Sequence, residues 1–468
     1  MNSWNDTVRF CQWPGVACDD PDHRERVTTL ALESMSLRGV ISPSIGNLTY
    51  LGHLLLSNNS FYGEIPPEIG RLAQLKDLNL SYNALNGTVP VSLGLCTNLL
   101  GIDFTGNLIS GNVPGQLGSL LKLLVLNLGV NKLVGDITPF LGNLSSLLLD
   151  LSSNKLTGEI PSSLGKLSNL TYLDLSANKL VGGIPPSLGN SLPAACSISQ
   201  AMPSAEPSHR IWQTSRPFSF WIYQTTAFLE IIPPLLGRIV PLQYLFLNNN
   251  NLTGSLPNSL GNLASLIYLD LSSNSLSGSI PPSITNLSSL QVLDLSFNYL
   301  VGRLPEDIGL LTSLEFFQVS ENGLSGPVPL SLYSISSLKT LSMAYNQLSG
   351  TLPLDIGDTL PNLIFIGMAS NRLEGQIPWS LANATSLGQI DLSRNNFSGR
   401  IPANLGNLPY LKQVSLGNNS LEARDAEDWE FISSLTNCSQ LEELSLFEND
   451  LGGVLPPPSL ISRSSSRA

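Results

Sequence analysis

Leucines alternate with other residues in short blocks that recur along the chain. One block contains Leu75, Leu78 and Leu80, followed by Asn83. The spacing of Leu78 and Leu80 has the period of two that places alternate side chains on opposite faces of a strand. The pattern therefore predicts a short strand that buries its leucines and exposes the residues between them.

The asparagine of this block recurs every 24 residues, with slips to 23 and 25 residues and one late step of 30 residues. Its copies are Asn59, Asn83, Asn107, Asn131, Asn154, Asn178, Asn250, Asn274, Asn298, Asn322, Asn346, Asn371, Asn395, Asn419 and Asn449. A repeat of this length predicts a solenoid, in which each unit buries its apolar face against its neighbours. Because chain turns bury backbone groups that need partners, we expect the asparagine amides to link successive coils.

A glycine follows the asparagine by four residues, and an apolar residue and a proline come next, as in Gly87 and Val89-Pro90. Glycine allows a backbone bend that a Cβ would hinder. Proline fixes φ and has no N–H to donate. We therefore expect an extended outer path with only short or edge-like strand pairing.

This unit resembles the plant-specific leucine-rich repeat, Leu-x-x-Leu-x-Leu-x-x-Asn-x-Leu-x-Gly-x-Ile-Pro-x-x-Leu-Gly, over roughly residues 27–456. The resemblance implies an α/β solenoid, a right-handed superhelix with a concave parallel β-sheet built from 24-residue repeats. The block 428–438 resembles the longer repeat of the immune pattern-recognition subfamily of plant receptor kinases. That likeness implies an ectodomain that binds a peptide or microbial elicitor outside the cell and pairs with a co-receptor kinase.

The first residues, with Trp4, Cys11, Trp13 and Cys18, resemble the N-terminal cap of plant leucine-rich-repeat receptor kinases. We expect a Cys11–Cys18 disulfide, or two free thiols if the chain stays in a reducing compartment. The domain prediction is a truncated cap at 1–26, repeats at 27–190, a degenerate or inserted segment at 191–230, repeats at 231–458 and a disordered tail at 459–468. A solvated, helix-like bulge is expected at 422–430.

Two hypotheses stay open for residues 191–230. In one, degenerate repeats place Phe218, Trp221 and Tyr223 at the leucine positions and Thr226 at the asparagine position. In the other, the segment is foreign to the repeat, either an island loop or a gene-model artefact.

Composition and targeting signals bear on the partners of the protein and on its location in the cell. Charged residues make up 12% of the chain, the net charge is −12, and no Lys/Arg run suggests nucleic acid or an anionic membrane as a partner. No signal peptide and no transmembrane helix are visible. We nevertheless interpret the chain as part of an exported protein. The resemblance to receptor kinases implies the extracellular face of the plasma membrane for the parent protein, and the number of Asn-x-Ser/Thr sequons adds only weak support because sequons also arise by chance in a chain rich in Asn and Ser. The glycosylation candidates are Asn5, Asn47, Asn58, Asn79, Asn86, Asn143, Asn169, Asn251, Asn286, Asn383, Asn396, Asn418 and Asn437.

Most strand positions that face solvent carry an Asp-x-Ser pair, but four middle-to-late units depart from it. Aromatic rings among polar groups are typical of recognition surfaces. The candidate ligand-binding residues are Tyr244, Phe246, Asn248, Phe316, Gln318, Glu321, Thr340, Ser342, Tyr345 and Phe365. The three histidines, His23, His53 and His209, are widely separated, so we expect no catalytic site, no metal and no cofactor.

The sequence therefore favours a binding module, the ectodomain of a plant receptor kinase, with a peptide or protein ligand on its concave face. One alternative is an extracellular inhibitor of the polygalacturonase-inhibitor type. Another is a non-functional truncated product.

Overall fold

The computed structural model describes residues 4, 7–18, 26–144, 146–167, 169–190, 219–221, 227–228 and 231–453. The chain divides into two compact units, Met1–Tyr244 and Leu245–Ala468. A typical coil contains an inner strand, a turn at the repeated asparagine, a short outer strand and a 3-10 helix. Among the described residues, no helix combines the length and the apolar character that crossing a bilayer requires.

The first unit begins with a strand that pairs antiparallel with the next one, and the following inner strands pair in parallel. These strands are Val16–Cys18, Val27–Ala31, His53–Leu55, Asp77–Asn79, Gly101–Asp103, Val125–Asn127, Ser146–Asp150, Asn169–Asp174 and Ser219–Trp221. The outer strands are Arg38–Gly39, Ser60–Glu64, Ala84–Asn86, Ser110–Gly111, Lys132–Asp136, Lys155–Thr157, Val181–Gly182 and Ala227–Phe228. The 3-10 helices are Phe10–Gln12, Pro43–Asn47, Pro67–Arg71, Val91–Leu95, Gly115–Ser119, Pro139–Asn143, Ser162–Lys166, Pro186–Asn190 and Pro234–Arg238.

The second unit repeats this order, and its first two residues, Leu245 and Phe246, belong to the strand Tyr244–Phe246. Its other inner strands are Tyr268–Asp270, Val292–Asp294, Phe316–Gln318, Thr340–Ser342, Phe365–Gly367, Gln389–Asp391, Gln413–Ser415 and Glu443–Ser445. Its outer strands are Ser277–Gly278, Tyr299–Gly302, Gly323–Pro327, Gln347–Thr351, Arg372–Gly375, Asn396–Gly399, Ser420–Ala423 and Asp450–Leu451. Its 3-10 helices are Asn258–Asn262, Pro282–Asn286, Ile308–Leu310, Leu330–Ser334, Trp379–Asn383 and Ala403–Asn407, and its α-helices are Ile356–Thr359 and Glu430–Leu435.

Each described coil contributes its repeated leucines to the core, and Leu75, Leu78 and Leu80 are all 0% exposed. Burying a leucine contributes about 1.5–3 kcal/mol. On the side of each coil that carries the 3-10 helix, glycine lets successive helices approach closely. A Cβ on Gly70 would lie 2.5 Å from the carbonyl oxygen of Ser92 in the next coil. The prediction of a leucine-rich-repeat solenoid is confirmed.

The asparagine ladder is confirmed as well. Asn83 Nδ2 donates to the carbonyl oxygens of Leu80 in its own coil and Leu56 in the preceding one, at 3.1 and 3.0 Å. Its Oδ1 accepts the backbone N–H of Phe61, also in the preceding coil, at 2.9 Å. The same set of bonds recurs in later coils, for example around Asn298. One amide thus satisfies buried backbone groups of two coils.

The residue before each ladder asparagine has a left-handed backbone. Values of φ near +50° to +57° recur at this position, as at Asn58, Tyr82, Val130 and Ser273. Four residues after the asparagine, the predicted bend occurs at glycines such as Gly87, with φ +74°. Most described coils therefore contain two positions of positive φ, and the second is usually glycine; Ala423 occupies it without a positive φ.

The cap contains the expected disulfide between Cys11 and Cys18, whose Cα atoms are 5.5 Å apart. Trp4 stacks on Trp13 with ring centroids 4.9 Å apart. The other two cysteines that the structure describes, Cys96 and Cys438, are buried thiols.

In the segment 191–230, the register that the degenerate-repeat hypothesis gives to Trp221 is wrong by one residue. The described strand Ser219–Trp221 pairs Phe220, not Trp221, with Leu173, and Trp221 with Asp174. Aromatic residues occur at both odd and even positions here, so alternation alone does not fix the register. Phe218, Tyr223 and Thr226 lie outside the described residues, as does the tail at 459–468.

The insertion near residue 425 differs from the expected solvated bulge. Trp429 and Phe431 are buried and stack with centroids 5.8 Å apart. The carboxylate of Asp428 accepts the backbone N–H of Arg424 and pairs with Arg400. These bonds, the one from Arg424 first, lower the pKa of Asp428. The insertion is therefore anchored in the coil by aromatic packing, and only part of it is solvated.

Candidate functional site

We use the term strand face for the side chains of the inner strands that point away from the leucine core. On the strand face of the second unit, Phe316, Thr340 and Phe365 are directly paired partners in three consecutive coils. All three side chains are half-buried. Parallel pairing places such residues next to each other, so the structure brings together two predicted aromatic residues with a threonine between them.

Two residues further along these strands, Gln318, Ser342 and Gly367 form a second paired row. The hydroxyl of Ser342 lies 2.8 Å from that of Ser320. The ring of Phe365 covers Gly367, since a Cβ there would lie 2.6 Å from the ring. The result is an aromatic and polar patch over small residues.

Neighbouring coils have a different chemistry at the same positions. The Oδ1 atoms of Asp294 and Asp391 accept hydrogen bonds from the serines two residues later, at 2.9 Å from Ser296 N and 2.7 Å from Ser393 Oγ. In these coils the aspartate and the serine are therefore hydrogen-bonded to each other within one coil. The patch lacks these aspartates and has Gln318, Ser342 and Gly367 at the equivalent positions.

Two predicted residues, Glu321 and Tyr345, lie off the strands. They occupy the left-handed turn position, with φ of +54° and +55°. They are therefore at the edge where the inner strand turns toward the outer strand, beside the patch on the strand face.

Three predicted residues at the start of the unit are less accessible than expected. Phe246 is 8% exposed and packs on Tyr268 with ring centroids 4.6 Å apart, and Asn248 is 4% exposed. Tyr244 is half-buried. The expectation of exposed aromatic residues here is wrong for Phe246, because a neighbouring coil supplies Tyr268 as a packing partner.

One ion pair beside the patch was not predicted from the sequence. Lys339 Nζ lies 2.6 Å from Glu315 Oε2, and both side chains are partly exposed. The two residues are 24 positions apart, and opposite charges at that spacing are the signal that identifies the pair. Because it is exposed, the pair contributes about 0–1 kcal/mol to stability. It borders the patch beside Phe316 and Thr340.

The glycosylation candidates differ in how exposed their asparagine side chains are. The exposed asparagines are Asn47, Asn58, Asn86, Asn143, Asn251, Asn286, Asn383, Asn396 and Asn437, and Asn418 is half-buried. Asn79 is 5% exposed, and its Oδ1 accepts the backbone N–H of Ser81 at 3.0 Å. A glycan on Asn79 is incompatible with this packing. Asn5 lies outside the described residues, as does the side chain of Asn169.

The strand face of the first unit carries polar pairs in two different rows of the sheet. His53 Nδ1 lies 2.7 Å from Asp77 Oδ2, and both residues are buried. Further along, Asp150 and Asp174 are paired. Burial, and to a lesser extent the charge of Asp150, raises the pKa of Asp174 to about 6. These groups bond to one another or to neighbouring backbone.

The repeated leucine strand, asparagine turn and glycine bend match the Leucine Rich Repeat family. The matched residues are 50–72, 74–96, 147–167, 169–191, 241–263, 265–287, 289–311, 337–359 and 386–408. The plant peptide hormone receptor RGFR1, solved in complex with RGF2, has a TM-score of 0.80 and 30% identity, with 94% of this chain and 72% of that chain covered. The chain belongs to the leucine-rich-repeat family.

The chain is also similar to plant receptor kinases. The Arabidopsis receptor kinase HAESA, solved with the peptide hormone IDA and the co-receptor SERK1, has a TM-score of 0.73 and 27% identity, with 98% of this chain and 84% of that chain covered. The Arabidopsis thaliana LRR receptor-like serine/threonine-protein kinase EFR is 51% identical over 59 residues, which are 13% of this chain and 6% of that relative. The rice receptor kinase-like protein Xa21 (Oryza sativa subsp. japonica) is 56% identical over 46 residues, which are 10% and 4%. The chain aligns with a small part of these curated relatives, and it is homologous to plant leucine-rich-repeat receptor kinases.

Proposed function

We propose that this chain is the extracellular ligand-binding region of a plant leucine-rich-repeat receptor kinase, and that it binds a peptide or small protein on the strand face of its second unit. The observation that carries the proposal is the paired row of Phe316, Thr340 and Phe365. It lies beside a second row in which Gln318, Ser342 and Gly367 replace the aspartates of the neighbouring coils, Asp294 and Asp391. Rings with nearby polar groups supply both buried area and orientation.

The mode of action in this proposal is recognition by shape and side-chain complementarity, with no bond made or broken in the ligand. A co-receptor ectodomain would then bind to the complex. The similar receptor HAESA was solved with both a peptide hormone and a co-receptor, which supports this arrangement.

We also propose that the receptor belongs to the immune pattern-recognition subfamily. The block 428–438 supports this, because it contains the buried aromatic anchor of Trp429 and Phe431 in place of a regular repeat. The alternative within the same function is a developmental receptor for an endogenous peptide.

The test uses the secreted full chain to capture peptides from two pools, plant extracellular fluid and culture filtrate of plant-associated bacteria. Captured peptides are identified by mass spectrometry and synthesised, and their affinity is measured by calorimetry. We expect Phe316→Ala and Phe365→Ala to weaken binding about tenfold or more, as central interface aromatics do. Leu354→Ala is the matched control, since Leu354 is 82% exposed and lies away from the strand face.

The two pools separate the immune and developmental alternatives by the source of the peptide. A captured peptide that binds both phenylalanine variants as tightly as the unaltered chain would remove the strand face from the proposal. Equal loss in the Leu354 variant would show that the effect is not local.

A further inference from the structure

Three consecutive coils of the second unit carry large side chains at the left-handed turn position. These residues are Phe297, Glu321 and Tyr345, with φ between +54° and +55°. The coils on either side have Ser273 and Ser370 there. A left-handed backbone is unfavourable for a residue with a bulky side chain. Because the left-handed backbone recurs at this position in other coils, as at Tyr82 and Arg394, the run differs from the coils beside it in the size of its side chains.

The side chains of this run are accessible. Phe297 is 57% exposed and Tyr345 is 49% exposed, while Glu321 is half-buried between their coils. On the adjoining outer strand, Tyr299 is 68% exposed and Val301 is 50% exposed. Together they form an apolar and aromatic surface with a carboxylate at its centre.

A cleft of about 370 Å³ opens in this surface, lined by Asn298, Tyr299, Val301, Glu321, Asn322 and Gly323. Gly323 pairs with Val301 and has no side chain to fill the space beside it. The next coil has Gln347 at the position equivalent to Gly323. The cleft therefore exists because one coil has glycine where its neighbour has a long side chain.

The polar groups that line the cleft favour a cationic ligand. The amides of Asn298 and Asn322 are used in the ladder, where they bond to Leu271 and Leu295 carbonyl oxygens. Glu321 is the one charged residue in the lining. None of the ion pairs found in the described part of the chain includes it. An arginine fits this environment, since its planar group can stack on Tyr299 and pair with a carboxylate.

The surrounding sequence leaves this surface free of glycans. No Asn-x-Ser/Thr sequon occurs between Asn286 and Asn383. In other coils the turn position itself is a sequon, at Asn58 and Asn418. Because N-glycans are bulky surface groups, the sequon-free interval keeps the cleft open to another polypeptide.

We propose that this cleft is a second docking site, which binds an arginine side chain flanked by apolar residues of a partner polypeptide. Glu321 pairs with the guanidinium group, Tyr299 stacks on it, and Phe297 and Val301 contact the flanking residues. The site lies on the turn edge and does not depend on binding at the strand face. Failure of either proposal leaves the other intact.

The test follows the Val301 methyl signals of the valine-labelled full chain by NMR during titration with the peptide acetyl-Leu-Arg-Phe-amide. Its counterpart has citrulline, which has the same shape but no charge. We expect saturable shifts with the arginine peptide and about fivefold to tenfold weaker binding of the citrulline peptide. Glu321→Gln should weaken the arginine peptide about twofold to fivefold, and Tyr299→Ala should weaken both peptides.

Two variants serve as controls. Glu448→Gln changes an exposed glutamate with the same backbone conformation, φ +52°, in another coil. Phe365→Ala changes the strand face. Both should leave the titration unaltered. Equal affinity for the two peptides, an unchanged affinity in the Glu321 variant, or no Val301 shift at about 10 mM peptide would each overturn the proposal.

Discussion

Asn107 Nδ2 donates to the carbonyl oxygen of Leu80 in the preceding coil, at a distance of 3.0 Å. The same amide donates to Phe104 O at 3.1 Å and accepts the backbone N–H of Leu85 at 3.0 Å. Asn107 is 7% exposed, so water cannot readily replace it. One side chain therefore holds two coils together through hydrogen bonds to backbone groups of both coils.

We predict that Asn107→Ala lowers the free energy of unfolding by about 1–3 kcal/mol, the cost of removing the acceptor of the buried Leu85 N–H. Urea unfolding should show a lower midpoint, and hydrogen exchange should accelerate at the Leu85 amide. Asn112→Ala in the same coil is the control, because Asn112 is exposed. Equal effects of the two substitutions would contradict the role of the ladder.

A second prediction concerns the left-handed turn position. Val130 has φ +54° and is 52% exposed, so its β-branched side chain gains little burial in an unfavourable conformation. Asparagine tolerates this conformation better. We expect Val130→Asn to raise the free energy of unfolding by about 0.5–1 kcal/mol, a fraction of the cost of a left-handed residue. The measurement is the urea midpoint.

Val134→Asn is the matched control for this substitution. Val134 lies on the outer strand Lys132–Asp136 and is 40% exposed. Asparagine is disfavoured in strands, so this variant should be neutral or less stable. A gain of stability in both variants would mean that the added amide, and not relief of the backbone, is responsible.

Sequence periodicity is sufficient to place the leucines and asparagines, because each coil repeats the same environment and the assignment is tested many times over. It fails where residues depart from the repeat. The aromatic residues around Phe220 fit a strand in either register, and the burial of Trp429 depends on a contact outside the pattern. Phe246 is covered by Tyr268, a partner that becomes apparent only when neighbouring strands are aligned in space. Exposure of the turn-edge residues likewise depends on the side chain in the next coil.

A third prediction follows from the buried carboxyl of Asp174. Burial, followed by the Asp150 charge, raises its pKa from 3.8 to about 6. Between about pH 4 and pH 6, Asp174 is more fully protonated in the folded chain than in the unfolded chain. This group therefore makes the free energy of unfolding fall as the pH rises through that range. The loss is complete above the folded pKa and amounts to roughly 2–3 kcal/mol.

Asp174→Asn should remove this dependence, since the amide oxygen can still accept the Ser176 backbone N–H that Asp174 Oδ1 accepts at 2.9 Å. The variant should gain stability relative to the unaltered chain as the pH rises from 4 to 7, measured by urea unfolding at each pH. Because it creates an Asn-Leu-Ser sequon, both proteins should be made in bacterial periplasm. Asp355→Asn, at an exposed carboxyl, should show no such trend. A constant difference across the range would exclude titration of Asp174 as the cause.

The last prediction concerns the anchor of the late insertion. Trp429 Nε1 donates to the carbonyl oxygen of Gly452 at 2.9 Å, and the ring is 7% exposed. Phenylalanine would retain most of the apolar contact with Phe431 but would leave the Gly452 carbonyl without this donor. We therefore expect Trp429→Phe to reduce the free energy of unfolding by about 1–3 kcal/mol and to increase hydrogen exchange through residues 424–435. Trp379→Phe is the control, since Trp379 is 62% exposed. If the insertion were a solvated bulge, as the sequence alone suggests, the two substitutions would have equally small effects.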